Sequence, residues 1–209
     1  MASLFITFEG QEGAGKSTQI KMLYKFLSDA GDNVILTREP GGTDITEKIR
    51  RILKDAQNAD ITKEAEALLY VAARAQLVDE VIKPHLEADG IVLCDRYEDS
   101  TIAYQGFGNA LDIDRLTDIS NFASKGLVPD ITFLLKIEPS VGLARKSAYK
   151  MLDRIEAKDM TYHNAVQQGY DYLTEKNPGR IVVIDGTLPP DEIFGIIVRH
   201  VEKLKRNAG

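Results

Sequence analysis

Five short apolar runs, Leu4–Phe8, Val34–Thr37, Ile91–Cys94, Ile131–Ile137 and Ile181–Ile184, recur along the chain, most of them rich in β-branched or aromatic residues. Runs of this length bounded by turn-forming residues read as buried strands. The stretches between them carry helical spacing instead. One helix is expected from the end of a glycine-rich loop at 10–15 to about Asp29, with Gly31 marking its end, and another from Ile45 to Leu53. A longer one follows the N-cap Thr62 and runs to about Ala88, with Pro84 placed to kink it or end it early. Ala65 stands where a capping box would need an acid or amide, so no box is expected there. Further helices are read across Ser100–Gln105 and Ile113–Ser124, separated by Gly106-Phe107-Gly108-Asn109, then Pro139–Ser147, Tyr162–Lys176 and Asp191–Lys205. Strands alternating with helices predict an α/β fold, a parallel sheet covered on both faces.

Bulk properties narrow the class. The 209 residues suit a single α/β domain, and no repeat, low-complexity tract or linker interrupts them. A net charge of −6 argues against a nucleic-acid polymer as partner, because such binders carry a basic excess. No apolar run approaches the roughly 18 residues that a membrane span needs. The first strand begins without a basic-then-apolar leader, and the lone Cys94 lies within an apolar run. A cytoplasmic enzyme is expected. The long helix after Thr62 has an apolar face wide enough to serve a second subunit as well as the core.

The first strand ends in Gly10-x-x-x-x-Gly15-Lys16-Ser17, with Gln11, Glu12, Gly13 and Ala14 inside the pattern and Thr18 opening the next helix. Glycines let the backbone curl so that its N–H groups point inward around phosphates, and the helix N-terminus aims its positive end at the same point. Lys16 supplies a cation for the β- and γ-phosphates, and the Ser17 hydroxyl is placed to ligate Mg²⁺. Asp95-Arg96 directly follows the third strand: a carboxylate there suits Mg²⁺ or its waters and an arginine suits a phosphate, or the two form a surface ion pair. Tyr70 and Arg74 share one helix face, which fits either a flat base or an ordinary core tyrosine beside a solvated arginine. Ser100, Thr101, Tyr104 and Gln105 group polar atoms near the same strand end. Glu12 is an awkward charge beside a triphosphate, so it is expected to face a second substrate. The densely charged residues 145–160, with Arg145, Lys146, Lys150 and Arg154, read as an exposed, mobile segment, either a solvated face or a closing lid. The histidines His85, His163 and His200 show no metal-ligand spacing.

The segments F-E-G-x-E-G-A-G-K-S-T, R-E-P-G-G-T, A-A-R-A-Q-L-V, D-R-Y-x-D-S-T-x-A-Y-Q-G and L-D-R-I-E occur together and in order, from about Leu4 to Arg206. Together they resemble the thymidylate kinases of bacteria. The resemblance implies a P-loop NTPase three-layer α/β/α fold with sheet order 2-3-1-4-5, a homodimer, and transfer of the γ-phosphoryl of ATP to dTMP with Mg²⁺. It assigns Gly10–Thr18 and Arg145 to ATP, Ser17 and Asp95 to the metal, and Lys16, Asp95, Arg96 and Arg154 to catalysis. Glu12 would meet the deoxyribose 3′-hydroxyl, Arg96 the dTMP phosphate with Arg38 near it, and Tyr104 would crowd the 2′ position. Tyr70 would stack on thymine where relatives usually carry Phe, and Arg74 would bond the base with Ser100, Thr101 and Gln105 close by. Position 13 is Gly, so the lid must supply the arginine that some relatives place in the loop. Ser147 and Tyr149 stand where relatives often have arginine, which leaves Arg154 and Arg145, with Lys146 and Lys150 as weaker substitutes.

Two rival readings have different consequences. A kinase for another nucleotide would keep the loop but change the base-facing residues. A guanine-reading switch would need N-K-x-D and D-x-x-G, and neither occurs.

Overall fold

The computed structural model describes residues 3–148 and 153–207. Its strands are β1 (Leu4–Glu9), β2 (Val34–Arg38), β3 (Ile91–Asp95), β4 (Ile131–Lys136) and β5 (Ile181–Asp185). They form one parallel sheet in the order 2-3-1-4-5, as expected. The register sets Phe8 and Arg38 level with Asp95, and Phe8 level with Phe133. The carboxyl ends of β1, β2 and β3 therefore finish together, and an open α/β sheet binds ligands at that edge.

Helices α1 (Lys16–Asp29) and α9 (Pro190–Asn207) cover one face. Leu23, Leu27, Ile197 and Val201 are buried there with Ile6, Phe8, Phe133 and Leu135 of the sheet. On the other face lie α3 (Lys63–Leu77), α6 (Ile113–Ser124) and α8 (Met160–Lys176). Ala67, Leu116, Val166 and Tyr170 form that core with Leu134. Cys94 is buried beside Phe5 and Val92, as its apolar run suggests.

Three local features add to or shift the sequence reading. Helix α2 (Asp44–Lys54) starts on a capping box made by Thr43 and Thr46, whose hydroxyls each take the other's backbone N–H. The usual Ser/Thr-x-x-Glu/Gln pattern misses it, because a second threonine performs the glutamate's part. The long helix after Thr62 runs to Glu87, close to the expected Ala88, and Pro84 does not end it early. It passes through a π-helical turn at Val78–Ile82 into α4 (Lys83–Glu87), where the proline sits in the first turn and needs no N–H partner. The break expected at 106–109 falls later, at 109–112. Helix α5 (Glu98–Thr101) runs straight into a π-helical segment at Ile102–Gly108, so Tyr104 and Gln105 stay on a rigid element.

Helix α7 (Pro139–Ser147) leads into the charged segment. Residues 149–152, including the candidate cation Lys150, lie outside the described residues. The expectation of an exposed segment fails at Ile155 and Glu156, which are buried. Its charges find partners: Asp153 accepts from Lys54, and Glu156 pairs with Lys146 at 2.7 Å.

Candidate active site

The loop between β1 and α1 takes the curled form that its glycines allow, with positive φ at Gly10, Gly13 and Gly15. Lys16 folds back over it and donates to the Gly10 and Gln11 carbonyls, both at 2.8 Å. Burial, reinforced by the nearby Arg96 charge, pulls the Lys16 ammonium down to about 8. The Gln11 carboxamide ties the loop to α8 by donating to the His163 carbonyl at 2.8 Å. Gly13 meets α7 backbone to backbone: a Cβ on it would stand 2.1 Å from the Gly142 carbonyl oxygen, and one on Gly142 2.1 Å from the Glu12 oxygen. Only a pair of glycines permits that approach. It seats Arg145 behind the loop, donating to the Gly186 carbonyl at 3.2 Å.

Asp95 closes β3, and the Ser17 hydroxyl donates to it at 3.3 Å. Two hard oxygen donors at the loop's mouth suit Mg²⁺, which commonly takes one or two protein oxygens and fills its shell with phosphate and water. No group of three or more His, Cys, Asp or Glu that could hold a metal alone exists among the described residues.

Arg96 follows with φ 75°, a conformation that non-glycine residues rarely adopt. Its Nη2 donates to Glu12 at 2.7 Å and to the Tyr104 hydroxyl at 2.9 Å. Its Nη1 donates to the Ser100 and Tyr170 hydroxyls, both at 3.1 Å. Those two hydroxyls in turn donate to Glu9, at 2.6 and 2.8 Å, and the Tyr97 N–H reaches the other Glu9 oxygen at 2.7 Å. Burial pushes the Glu9 carboxyl up, with Asp99 adding to it, while Arg96 and the hydrogen bonds pull the other way. Glu12 sits below its ordinary range: burial opposes its charge, but Arg96, Lys16 and Tyr104 outweigh it. Neither Glu9 nor Tyr170 was singled out from the sequence. Glu9 carried one signal, a carboxylate at the end of an apolar run.

Beyond Arg96 a cavity of about 700 Å³ runs from the loop to α3. Glu12–Thr18 form one end, while Gly10 and Gln11 lie behind that wall. Tyr70, Arg74, Thr101 and Gln105 form the other. Arg74 is buried and held by Glu39, with Nη2 at 2.7 Å and Nε at 3.0 Å, while Nη2 also donates to Thr101 at 2.9 Å and Nη1 to Ser120 at 3.3 Å. The surface reading of Arg74 is thereby corrected, since Glu39 supplies a partner that helix spacing could not reveal. Burial pushes the Glu39 carboxyl up to about 7 against the pull of Arg74. The Glu39–Pro40 bond is cis.

Arg38 lines the cavity and pairs with Glu47 at 2.7 Å. Arg50, unmarked in the sequence, lines it too and donates to the Pro40 carbonyl at 2.7 Å. Lys146, Asp153, Ile155 and Glu156 also line the cavity. Arg154 does not reach the wall. Its Nη2 donates to Glu66 at 2.7 Å and its Nε to the Leu53 carbonyl at 3.0 Å.

A family model described as thymidylate kinase matches residues 8–197. A thymidylate kinase of Geotalea daltonii is 49% identical over 195 residues, covering 90% of this chain and 91% of its own. One of Chlorobaculum tepidum is 44% identical over 210 residues, covering 96% and 98%. The crystal structure of thymidylate kinase from Ehrlichia chaffeensis is similar at a TM-score of 0.79 and 33% identity, covering 96% of this chain and 99% of that one. Likeness of this extent takes in both ends of the cavity and the sheet beneath them, and so the chain belongs to the thymidylate kinase family.

Proposed function

We propose that the chain transfers the γ-phosphoryl of ATP to dTMP, giving ADP and dTDP, with both substrates in the one cavity. The observation that carries this is the cavity's two unlike ends. A phosphate loop occupies one, and a tyrosine ring, a guanidinium and a carboxamide occupy the other. In this reading ATP lies along Gly10–Thr18 with Arg145 toward the adenine, and dTMP points its phosphate at Arg96 with Arg38 near. Ser17 and Asp95 fit a Mg²⁺ ion, which when bound neutralises charge on the phosphates. Glu12 receives the 3′-hydroxyl and Tyr104 fills the 2′ side, a pairing supported by their hydrogen bonds at 2.9 Å. The acceptor is already an anionic phosphate, so positioning and charge neutralisation carry the reaction and no covalent intermediate is needed.

The chain acts as one catalytic domain in the cytoplasm, with residues 145–160 as the lid. No described helix is long and apolar enough to cross a membrane. A homodimer forms through the outer face of α3. Ala65, Leu68 and Ala72 lie on that face, with Leu68 56% exposed, and Phe122 of neighbouring α6 is 85% exposed.

Four outcomes test these assignments. In a coupled ADP-release assay, ATP turnover should depend on the acceptor, with dTMP best among dTMP, dUMP, dCMP and thymidine; turnover indifferent to acceptor would point to a nucleotide sensor or switch. Arg154→Ala should lower kcat by roughly a hundredfold and leave the KM for dTMP nearly unchanged, because the arginine must exchange Glu66 for the transferring phosphoryl. An unchanged kcat there, with a large loss in Lys146→Ala, would assign the lid cation to Lys146 instead. Lys16 is protonated below about 8 and neutral above it. Affinity for a non-hydrolysable ATP analogue should therefore weaken as pH rises through that value, and Lys16→Met should bind poorly at every pH. Leu68→Glu with Phe122→Glu should sediment as a monomer where the parent sediments as a dimer.

A further inference from the structure

Glu66, on α3 one turn before Tyr70, is a carboxylate that holds Arg154 but does not itself line the cavity. It is 1% exposed. Its Oε1 accepts from Gln105 Nε2 at 3.0 Å and from Asn109 Nδ2 at 2.8 Å. Its Oε2 accepts from Arg154 at 2.7 Å, with Lys158 at 3.9 Å. Burial disfavours its charge, but the Gln105 hydrogen bond and the Lys158 and Arg154 cations outweigh that and hold the carboxyl below its usual range. An ionised carboxylate only accepts hydrogen bonds. The amide that meets it must turn its nitrogen inward and leave its oxygen facing away. Asn109 obeys the same rule from the other side, since its Oδ1 accepts from Lys158 at 2.7 Å. Gln105 is 2% exposed and lines the cavity, and its Oε1 takes no hydrogen bond from any described residue. The free oxygen is therefore the atom that Gln105 offers to a ligand.

Resting on the thymidylate reading above, we propose that Glu66 is a positioning residue that locks Gln105 with its carbonyl toward the acceptor base. The cavity then accepts from a ring N–H and rejects a ring nitrogen that lacks one. Arg74, across the same end, offers only donors. Thymine and uracil present an N–H beside a carbonyl, which matches that pair. Cytosine presents a bare nitrogen beside an amine, which opposes both. An unlocked glutamine would rotate about its last bond and serve either base. Glu66 removes that freedom without touching the ligand.

The test is the ratio of kcat/KM for dTMP over dCMP in Glu66→Gln. A neutral amide at 66 both donates and accepts, so Gln105 can turn over with it. The ratio should fall at least about tenfold, with dCMP gaining in absolute rate. A purely structural role would lower both acceptors together, and an unchanged ratio overturns the proposal. Removing a buried carboxylate risks the fold, so a second measurement uses the unaltered protein. The 5′-monophosphate of 3-methylthymidine replaces the ring N–H of dTMP by N–CH3 and keeps both carbonyls. It should be at least about tenfold poorer than dTMP, and equal turnover overturns the proposal. If the unaltered protein fails to phosphorylate dTMP, the reading of the cavity itself fails. If it succeeds and neither comparison moves, only the role of Glu66 fails.

Discussion

An arginine keeps its charge at any pH a protein meets, so partly burying the Arg96 guanidinium obliges the fold to surround it with acceptors. All four of its Nη protons are committed, to Glu12, Tyr104, Ser100 and Tyr170. The acceptors need partners of their own, and Glu9 provides one for both Ser100 and Tyr170. This array draws on β1, the end of β3, the helix after it, and α8. It works only if β1 and β3 end level, as their parallel register ensures. The left-handed backbone at Arg96 belongs to the same arrangement. It lets the chain leave β3 so that the next N–H, that of Tyr97, points back at Glu9. A strained residue persists only where its surroundings over-determine it, and here they do.

The second constraint is steric. The phosphate loop and α7 touch through Gly13 and Gly142, so a side chain at either position would drive the two backbones apart. A basic residue at 13 is therefore incompatible with this seating of α7. The close approach puts Arg145 behind the loop and starts the charged segment from a fixed base. Asp153 and Arg154 of that segment are then held by α2 and α3, through Lys54–Asp153 and Glu66–Arg154. The same sequence choice that empties the loop of arginine thus docks the segment that carries arginines.

The strands and the loop were legible because their signals are local. Apolar runs, glycines and the Lys16-Ser17 pair need no knowledge of the rest of the chain. Helix continuity was less legible. Gly106 and Gly108 read as breakers, yet tertiary packing holds the chain in a π-helical path through them. At the site, Glu12, Arg96 and Tyr104 do gather as their motifs implied. What the sequence concealed was who holds them: Glu39 for Arg74, Glu9 and Tyr170 for Arg96, Glu66 for Gln105. Such partners lie far apart in the chain, 161 residues for Glu9 and Tyr170, and no spacing rule connects them. The charged segment misled for a related reason. Composition counts charges, whereas exposure depends on whether those charges find partners, and Glu156 and Arg154 both do.

Those concealed partners also explain how a chain of net charge −6 builds a pocket for two phosphorylated substrates. The site does not depend on an excess of cations. Glu12 and Glu39 are buried against the arginines they orient, so each guanidinium is fixed in direction before any phosphate arrives. Desolvating such pairs adds little net stability and can cost some. The return is geometric, because a preorganised donor loses less freedom on binding than one drawn from solvent. Arg96 illustrates the limit of this economy. With its Nη protons committed, Arg96 can offer a phosphate in the proposed pose only its Nε–H, unless Glu12 is displaced. In the proposed pose the 3′-hydroxyl of the same nucleotide offers Glu12 a replacement partner. One ligand can thus release the arginine with its sugar and occupy it with its phosphate, which ties affinity for the anion to the presence of the correct sugar.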